Sequence, residues 1–99
     1  MASHIVWSQT AVEGLKEIVQ YIALDDLGAA AKLADRIIQC IETASKLPFS
    51  NRAVPEKAEE SIREAILKPY RLIYQADADR SVIHVLRIWH AARGVPDIE

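Results

Sequence analysis

The chain is organised around Tyr70–Arg93, YRLIYQADADRSVIHVLRIWHAAR. Two runs rich in Ile, Val, Tyr and Trp, Tyr70–Ala76 and Ser81–Trp89, are separated by the short polar insert Asp77–Arg80. Apolar runs of this length, bounded by turn residues, predict a β-hairpin. The second run is apolar on both faces, which predicts a central strand of a sheet.

Side chains alternate between the two faces of a strand, so each hairpin residue can be assigned to a face. On the first arm, one face carries Tyr70, Leu72 and Tyr74, and the other carries Arg71, Ile73 and Gln75. On the second arm, the same alternation predicts one face of Ile83, Val85, Arg87 and Trp89, and an opposite face of Val82, His84, Leu86 and Ile88.

Four side chains in or just past the hairpin form the candidate working surface: Arg71, Arg87, His90 and Arg93. Residues 62–93 hold six Lys/Arg and three Asp/Glu, although the whole chain has a net charge of −2. A modest basic patch suits an acidic partner segment or a phosphate. The acidic balance of the whole chain argues against general nucleic-acid binding, for which a clearly basic domain is expected.

Each of these side chains also has a purely structural interpretation. Arg71 could pair with Glu64 on a neighbouring strand, and Arg87 could do the same or contact a partner protein. His90, at a strand end, could hydrogen-bond to the backbone, and Arg93 could be solvated.

The residues before the hairpin predict a strand and two helices. His4–Trp7 is a short apolar strand, and an amphipathic helix follows it and ends near Leu24. Ser8 and Thr10 are both candidate caps for this helix, and Glu13 completes a capping-box pattern with Thr10. A second amphipathic helix begins after Asp25-Asp26 and stops at Pro48, so the two helices are expected to form an antiparallel pair.

The connector Phe49–Glu60 is largely charged and is interpreted as a solvated loop, and Ser61–Leu67 predicts another strand. Gly94-Val95-Pro96 ends the fold, and the last residues are expected to be loose. The order β-α-α-β-β-β predicts an α+β domain spanning 1–99, with a helical hairpin packed on one face of a small, mainly antiparallel sheet. The other sheet face is expected to be partly exposed.

Composition narrows the class of protein. A single cysteine, Cys40, excludes an internal disulfide and fits a reducing cytosol. No Cys/His cluster has metal-ligand spacing, so neither a metal nor another cofactor is expected. No apolar run approaches the roughly 20 residues that span a bilayer, and the first residues lack the pattern of a signal peptide. A cytoplasmic location without membrane contact is therefore expected.

Several short motifs, in this order and over nearly the whole chain, resemble the RelE/ParE superfamily of type II toxins. The first half contributes Trp7-Ser8 with Ala11, Tyr21-Ile22 and Arg52-Ala53-Val54-Pro55-Glu56. The second half contributes Ile62-Arg63-Glu64, Tyr70-Arg71-Leu72-Ile73-Tyr74, Val85-Leu86-Arg87-Ile88 and His90-Ala91-Ala92-Arg93. The resemblance implies the βααβββ fold and a small toxin that a neighbouring antitoxin neutralises.

The two branches of the superfamily imply different activities. ParE-like toxins inhibit DNA gyrase and contribute to plasmid stabilisation, whereas RelE-like toxins cut mRNA on the ribosome. The RelE pattern expects an arginine where this chain has Ala91 and a tyrosine near Val95, and the connector is acidic where basic residues are expected. The ending His90–Arg93 is more similar to the ParE branch, which implies a gyrase inhibitor with no bond chemistry of its own.

Two alternatives stay open. The chain could be a RelE-like mRNA endonuclease that uses Arg71, Arg87, His90 and Arg93, or a non-toxic family member that only binds. If the chain is a gyrase inhibitor, the same four residues are expected to contact gyrase.

The resemblance also implies a partner. This is a ParD-like antitoxin with a DNA-binding domain and a flexible tail, so that DNA is bound only through the complex. The expected antitoxin-binding residues are Leu15, Ile18, Ile22, Leu33, Ile37 and Arg87.

Overall fold

The computed structural model describes residues Ser3–Ile98 and has the predicted α+β architecture, two helices packed on a mixed sheet. Its elements in chain order are β1 (His4–Trp7), α1 (Gln9–Ala23), α2 (Leu27–Lys46), β2 (Arg52–Ala53), β3 (Ile62–Leu67), β4 (Tyr70–Asp77), β5 (Val82–His90) and a 3-10 helix (Ala91–Arg93). The two-residue strand β2 was not predicted. Neither helix in this range is long and apolar enough to cross a membrane.

The sheet has the strand order β1-β5-β4-β3-β2. The meander β3-β4-β5 is antiparallel, as predicted, and β1 pairs with β5 in parallel. The predicted hairpin therefore lies at the centre of the sheet, with β5 flanked on both sides. This position explains why the second arm is apolar on both faces.

The main core lies between the helical hairpin and one face of the sheet. Ala11 of α1 and Ile37 and Ile41 of α2 pack there against Leu72 and Tyr74 of β4. These residues are almost completely buried. We call this side of the sheet the helix face and the opposite side the outer face.

A β-bulge in β5 overturns the predicted alternation on the second arm. Ile73 pairs with Arg87 whereas Tyr74 pairs with Val85, so Leu86 is an extra residue without a partner in β4. Residues after the bulge exchange faces. Ile88 consequently packs into the main core, and Leu86 and Trp89 lie on the outer face.

The outer face is covered only in part by the chain itself and is partly exposed, as expected, at Val6, Ile66 and His84. Val54 from the connector and Ile98 from the C-terminal end pack there against Ile62, Ile73 and Trp89. Ile98 is only 8% exposed, so the C-terminal residues through Ile98 are packed and not loose. The charged connector therefore contributes one buried apolar side chain, Val54, in addition to its solvated charged side chains.

Ser8, and not the Thr10–Glu13 box, caps α1 and joins it to the sheet. The Ser8 hydroxyl accepts a hydrogen bond from the Ala11 amide at 3.0 Å and donates one to the carbonyl of the bulged Leu86 at 3.1 Å. The Ser8 amide donates to the Val85 carbonyl at 3.0 Å. Asp26 caps α2 as predicted, since its carboxylate accepts from the Ala29 amide.

Candidate functional site

A groove of about 440 Å³ lies on the helix face where α1 passes the end of β5. Its walls come from α1 on one side and from β4, β5 and the 3-10 helix on the other. The lining residues are Gly14, Glu17, Ile18, Tyr21, Tyr70, Ile88, His90 and Arg93. The floor is apolar, and charged or titratable groups stand at its rim. Such a groove suits a side chain or a helix turn of a partner protein.

The close approach of α1 to β5 depends on Gly14. A Cβ atom at this position would lie 3.0 Å from the Ile88 carbonyl oxygen, which is a tighter contact than real Cβ atoms normally make. Glycine therefore allows the helix backbone to pass directly over the strand. The groove opens beside this crossing.

His90 is held at the groove by its own backbone and by Tyr70. Its Nδ1 accepts a hydrogen bond from the Ala92 amide at 3.0 Å, so a neutral ring carries its proton on Nε2. The His90 and Tyr70 rings meet edge to face with centroids 5.3 Å apart, and burial raises the pKa of the Tyr70 hydroxyl. The predicted backbone contact of His90 is confirmed.

Arg93 is the exposed cation at the groove. Its guanidinium lies 4.9 Å from the centroid of the Trp89 ring, a distance that allows a cation–π contact. Among the residues that the structure describes, Arg93 has no carboxylate within 4.0 Å. It also lines a smaller cleft of about 150 Å³ together with Glu13, Glu17 and Arg87. Arg93 can therefore meet an incoming anionic group.

Arg71, by contrast, is committed to an internal ion-pair cluster on the outer face. Its Nε donates to Glu64 at 2.5 Å, and its two terminal nitrogens donate to the Glu56 carboxylate at 2.9 and 2.7 Å. Arg52 donates to the second oxygen of Glu64 at 2.7 Å. The predicted Arg71–Glu64 pair is confirmed, and the contact with Glu56 of the connector was not foreseen.

Burial makes this cluster electrostatically strong. The Glu64 side chain is 0% exposed and the Arg71 side chain 12%. Hydrogen bonding by Arg71 holds the pKa of Glu56 below its usual value, and the two carboxylates raise the pKa of Arg71. All four charges compensate one another, so Arg71 presents little positive field to a ligand.

Arg87 also lies on the outer face and is occupied by the C-terminal residues. Its Nε donates to the Asp97 carbonyl at 2.5 Å, and its guanidinium lies 3.5 Å from the Asp97 carboxylate. The structure therefore brings together only part of the predicted surface. His90 and Arg93 border the groove, and Arg87 shares the smaller cleft with Arg93 while binding Asp97. Arg71 lies apart, enclosed by Glu56 and Glu64.

The expected antitoxin-binding residues differ in how they meet the surface. Leu15, Ile18, Ile22 and Leu33 are half-buried on the helical hairpin, but Ile37 is fully buried in the main core and offers no surface. Three more exposed large apolar residues cluster at the tip of the helical hairpin: Tyr21 is 77% exposed, Leu24 83% and Leu27 77%. Their positions outside the apolar stripe are the sequence signal that could have revealed them.

Comparison with known proteins agrees with this fold. Residues 5–95 match the family model described as the ParE toxin of the type II toxin–antitoxin system parDE. A curated protein of Sinorhizobium fredii (strain NBRC 101917 / NGR234), named "Putative toxin Y4kP", is 32% identical over 96 residues. That match covers 95% of this chain and 94% of the relative.

Solved structures of toxin–antitoxin proteins share the fold at low sequence identity. A chain of the chromosomal ParDE system from P. aeruginosa superposes with a TM-score of 0.71 at 18% identity, over 90% of this chain and 96% of that one. A chain of the RelBE2 complex from Mycobacterium tuberculosis gives a TM-score of 0.61 at 21% identity, over 91% and 99% of the two chains. A free E. coli RelE mutant gives 0.59 at 15% identity, over 95% and 88%. The match along nearly the whole chain shows that this protein belongs to the ParE toxin family of type II toxin–antitoxin systems.

Proposed function

We propose that this toxin acts in the cytoplasm by binding DNA gyrase, without cleaving RNA, and that an antitoxin neutralises it by covering the groove. The family to which the chain belongs supports a toxin role. The geometry of the candidate residues supports the gyrase reading over the nuclease reading.

The observation that carries this proposal is the position of Arg71. Cleavage of RNA through its 2′-hydroxyl needs a proton acceptor, a proton donor and a cation, all close to one phosphate. Arg71 uses its Nε and both terminal nitrogens on Glu56 and Glu64. It lies on the outer face, whereas His90 pairs with Tyr70 on the helix face. The two side chains therefore lie on opposite sides of the sheet and do not face one common site.

The groove is the better candidate for target contact. Arg93 supplies an exposed charge, and His90 and Tyr21 supply a polar and an aromatic contact beside an apolar floor. Buried aromatic and arginine contacts often dominate the binding energy of protein interfaces. We therefore assign target binding to His90 and Arg93, and a supporting role in the fold to Arg71 and Arg87.

The test is a gyrase assay with purified toxin freed of antitoxin. The toxin is titrated into gyrase with relaxed and supercoiled plasmid, and supercoiling and accumulated cleaved DNA are measured. Wild type should inhibit, and Arg93→Ala should need at least about tenfold more protein, as expected when one interface anchor is lost. Arg36→Ala is the matched control, because Arg36 is exposed on α2 and does not line the groove.

Two outcomes would overturn the gyrase proposal. If gyrase is unaffected while the folded toxin stops translation and mRNA is cut at the ribosome, the RelE-like alternative is correct. If expression of the toxin leaves growth unchanged and gyrase is unaffected, the chain is a binding-only member of the family.

The antitoxin is expected to bind with a flexible tail that folds on the toxin. The surface we propose for it joins the groove to the exposed tip of the helical hairpin, with Leu15, Ile18, Ile22 and Leu33 along its edge. The end of the same antitoxin tail would contact Arg87. Specific DNA binding would then belong to the antitoxin in the complex and not to this acidic chain.

This surface can be tested with two matched substitutions. Leu24→Asp at the tip should weaken antitoxin binding at least about tenfold, because it places a charge in an apolar contact. Leu47→Asp alters a leucine of similar exposure at the far end of α2 and should leave binding unchanged. Equal effects of the two substitutions, or unchanged binding after deletion of the antitoxin tail, would contradict the proposed surface.

A further inference from the structure

The C-terminal residues Gly94–Ile98 cross the outer face of the sheet without forming a strand. Pro96 and Ile98 are buried, and Ile98 packs into the cluster formed by Val54, Ile62, Ile73 and Trp89. We call Gly94–Ile98 the strap. It covers an apolar surface that the sheet would otherwise present to solvent.

Side chains of β5 hold the strap through its polar groups. The Trp89 indole donates to the Gly94 carbonyl at 3.0 Å, and Arg87 donates to the Asp97 carbonyl at 2.5 Å. The Asp97 carboxylate adds a weak contact with the same guanidinium at 3.5 Å. The Asp97 side chain itself is 68% exposed, so this ion pair is largely solvated. Two buried apolar side chains, Pro96 and Ile98, and a few hydrogen bonds therefore hold the strap.

The strap begins at a residue that can act as a pivot. Gly94 has φ +86°, in the region that favours glycine, and a Cβ built on it would meet nothing within 4 Å. Glycine adopts φ values of either sign at little steric cost, so the chain can change direction at this residue. The 3-10 helix before it remains fixed, because the Ala91 amide donates to the Pro69 carbonyl at 2.8 Å.

We propose that the strap occupies in cis a binding site for an extended segment of a partner protein in which an acidic residue is flanked by apolar ones. The present occupant, Pro96-Asp97-Ile98, shows which chemistry the site holds. Arg87 receives the acidic residue and its carbonyl, and the Val54–Ile73–Trp89 surface receives the apolar neighbours. A mainly apolar surface beside a single arginine suits a peptide and not a polyanionic nucleic acid as the competing ligand.

Competition in cis has a measurable consequence. A ligand that binds only the open form shows an affinity reduced by the fraction of molecules that are open. Only the three residues Ala91–Arg93 separate the strap from β5, so the effective concentration of the strap at its site is high and the open fraction is small. Weakening the strap should therefore strengthen binding of the same sequence supplied in trans.

The probe is a fluorescently labelled peptide GVPDI, with blocked ends, titrated into the full-length toxin and followed by anisotropy. Ile98→Ser, which loosens the strap, should bind the probe at least tenfold more tightly than wild type. Adding Arg87→Ala to this variant should abolish the gain, and a GVPKI peptide should bind several-fold more weakly than GVPDI, because its lysine replaces the carboxylate that faces Arg87. Circular dichroism and thermal unfolding establish that each variant is folded.

Asp97→Lys provides a second way to open the strap, because it places a like charge against Arg87. Equal probe affinity for wild type and both opened variants would overturn the proposal. Equal binding of the Lys peptide would do the same. If both variants unfold, the strap is an integral part of the core and the proposal is wrong. None of these readouts involves gyrase, so they are independent of the proposed target.

Discussion

Removing the Arg71 side chain tests whether this residue supports the fold or contacts a ligand. In Arg71→Ala, the fully buried Glu64 keeps only Arg52, whose side chain is 60% exposed, and Glu56 loses its bidentate partner. Breaking a buried ion pair by removing one partner costs about 3–5 kcal/mol, since a charge remains without compensation. We expect a loss near the lower limit, about 3 kcal/mol, because Arg52 still contacts Glu64.

The free energy of unfolding is measured by urea unfolding followed by far-UV circular dichroism. Companion variants separate the contribution of the Glu56 contact from that of the buried Glu64 pair. Glu56→Gln breaks only the more exposed contact and should cost about 0.5–1 kcal/mol. The double variant Glu64→Leu, Arg71→Met removes both buried charges, and should recover most of the loss of Arg71→Ala because apolar replacements of a buried pair are well tolerated.

The pH dependence gives an independent check. Arg71 lowers the pKa of Glu56 in the folded state from its ordinary value of 4.5. The stability from this contact is therefore complete above pH 4.5 and is lost as the pH falls through the lowered value. Arg71→Ala should show a smaller loss of stability on acidification than wild type. An Arg71→Ala protein within 0.5 kcal/mol of wild type at pH 7 would refute the assignment of Arg71 to the fold.

Three further substitutions test how the site is positioned. Ser8→Ala should cost about 1–2 kcal/mol by thermal unfolding because it removes the α1 cap and the donor to the Leu86 carbonyl, while Thr10→Ala should stay within 0.5 kcal/mol, and equal losses would contradict the assigned cap. Gly14→Ala should lower Tm by roughly 4–8 °C, because the clash with the Ile88 carbonyl outweighs the better helix propensity of alanine and leaves a net loss of about 1 kcal/mol. An increase in Tm would show that α1 can shift freely. Tyr74→Phe should cost about 1 kcal/mol through loss of the hydrogen bonds to Pro48 and Asn51. Burial raises the folded-state pKa of Tyr74, so the stability that the neutral hydroxyl contributes is lost as pH rises above about 10; the variant should therefore lose less stability at alkaline pH than wild type, and an equal loss would contradict this.

Local patterns in the chain were sufficient for the order of elements. Helical spacing of apolar residues, the cap at Asp26 and the β-rich runs around Asp77–Arg80 predict the helices and the hairpin, because each signal depends on residues close in sequence. The Arg71–Glu64 pair was also within reach, since neighbouring strands bring such side chains together.

The candidate site was harder to predict because its parts come from distant segments. The bulge at Leu86 depends on a carbonyl whose partner, Ser8, is 78 residues away in the chain. Without it, strict alternation places Trp89 on the face of Ile83 and Val85, whereas the structure places it on the outer face. The groove likewise needs Gly14 of α1 beside Ile88 of β5, a contact that no local pattern indicates.

Short-range periodicity and motifs are enough to predict the α+β class, the central hairpin and the resemblance to the toxin superfamily. Which arginines are available to a ligand depends instead on long-range packing. Arg71 and Arg93 are alike as side chains, but one is enclosed by Glu56 and Glu64 and the other stands exposed beside Trp89. Long-range packing sets the charge partners and burial of a side chain, and those in turn set whether it can bind a ligand.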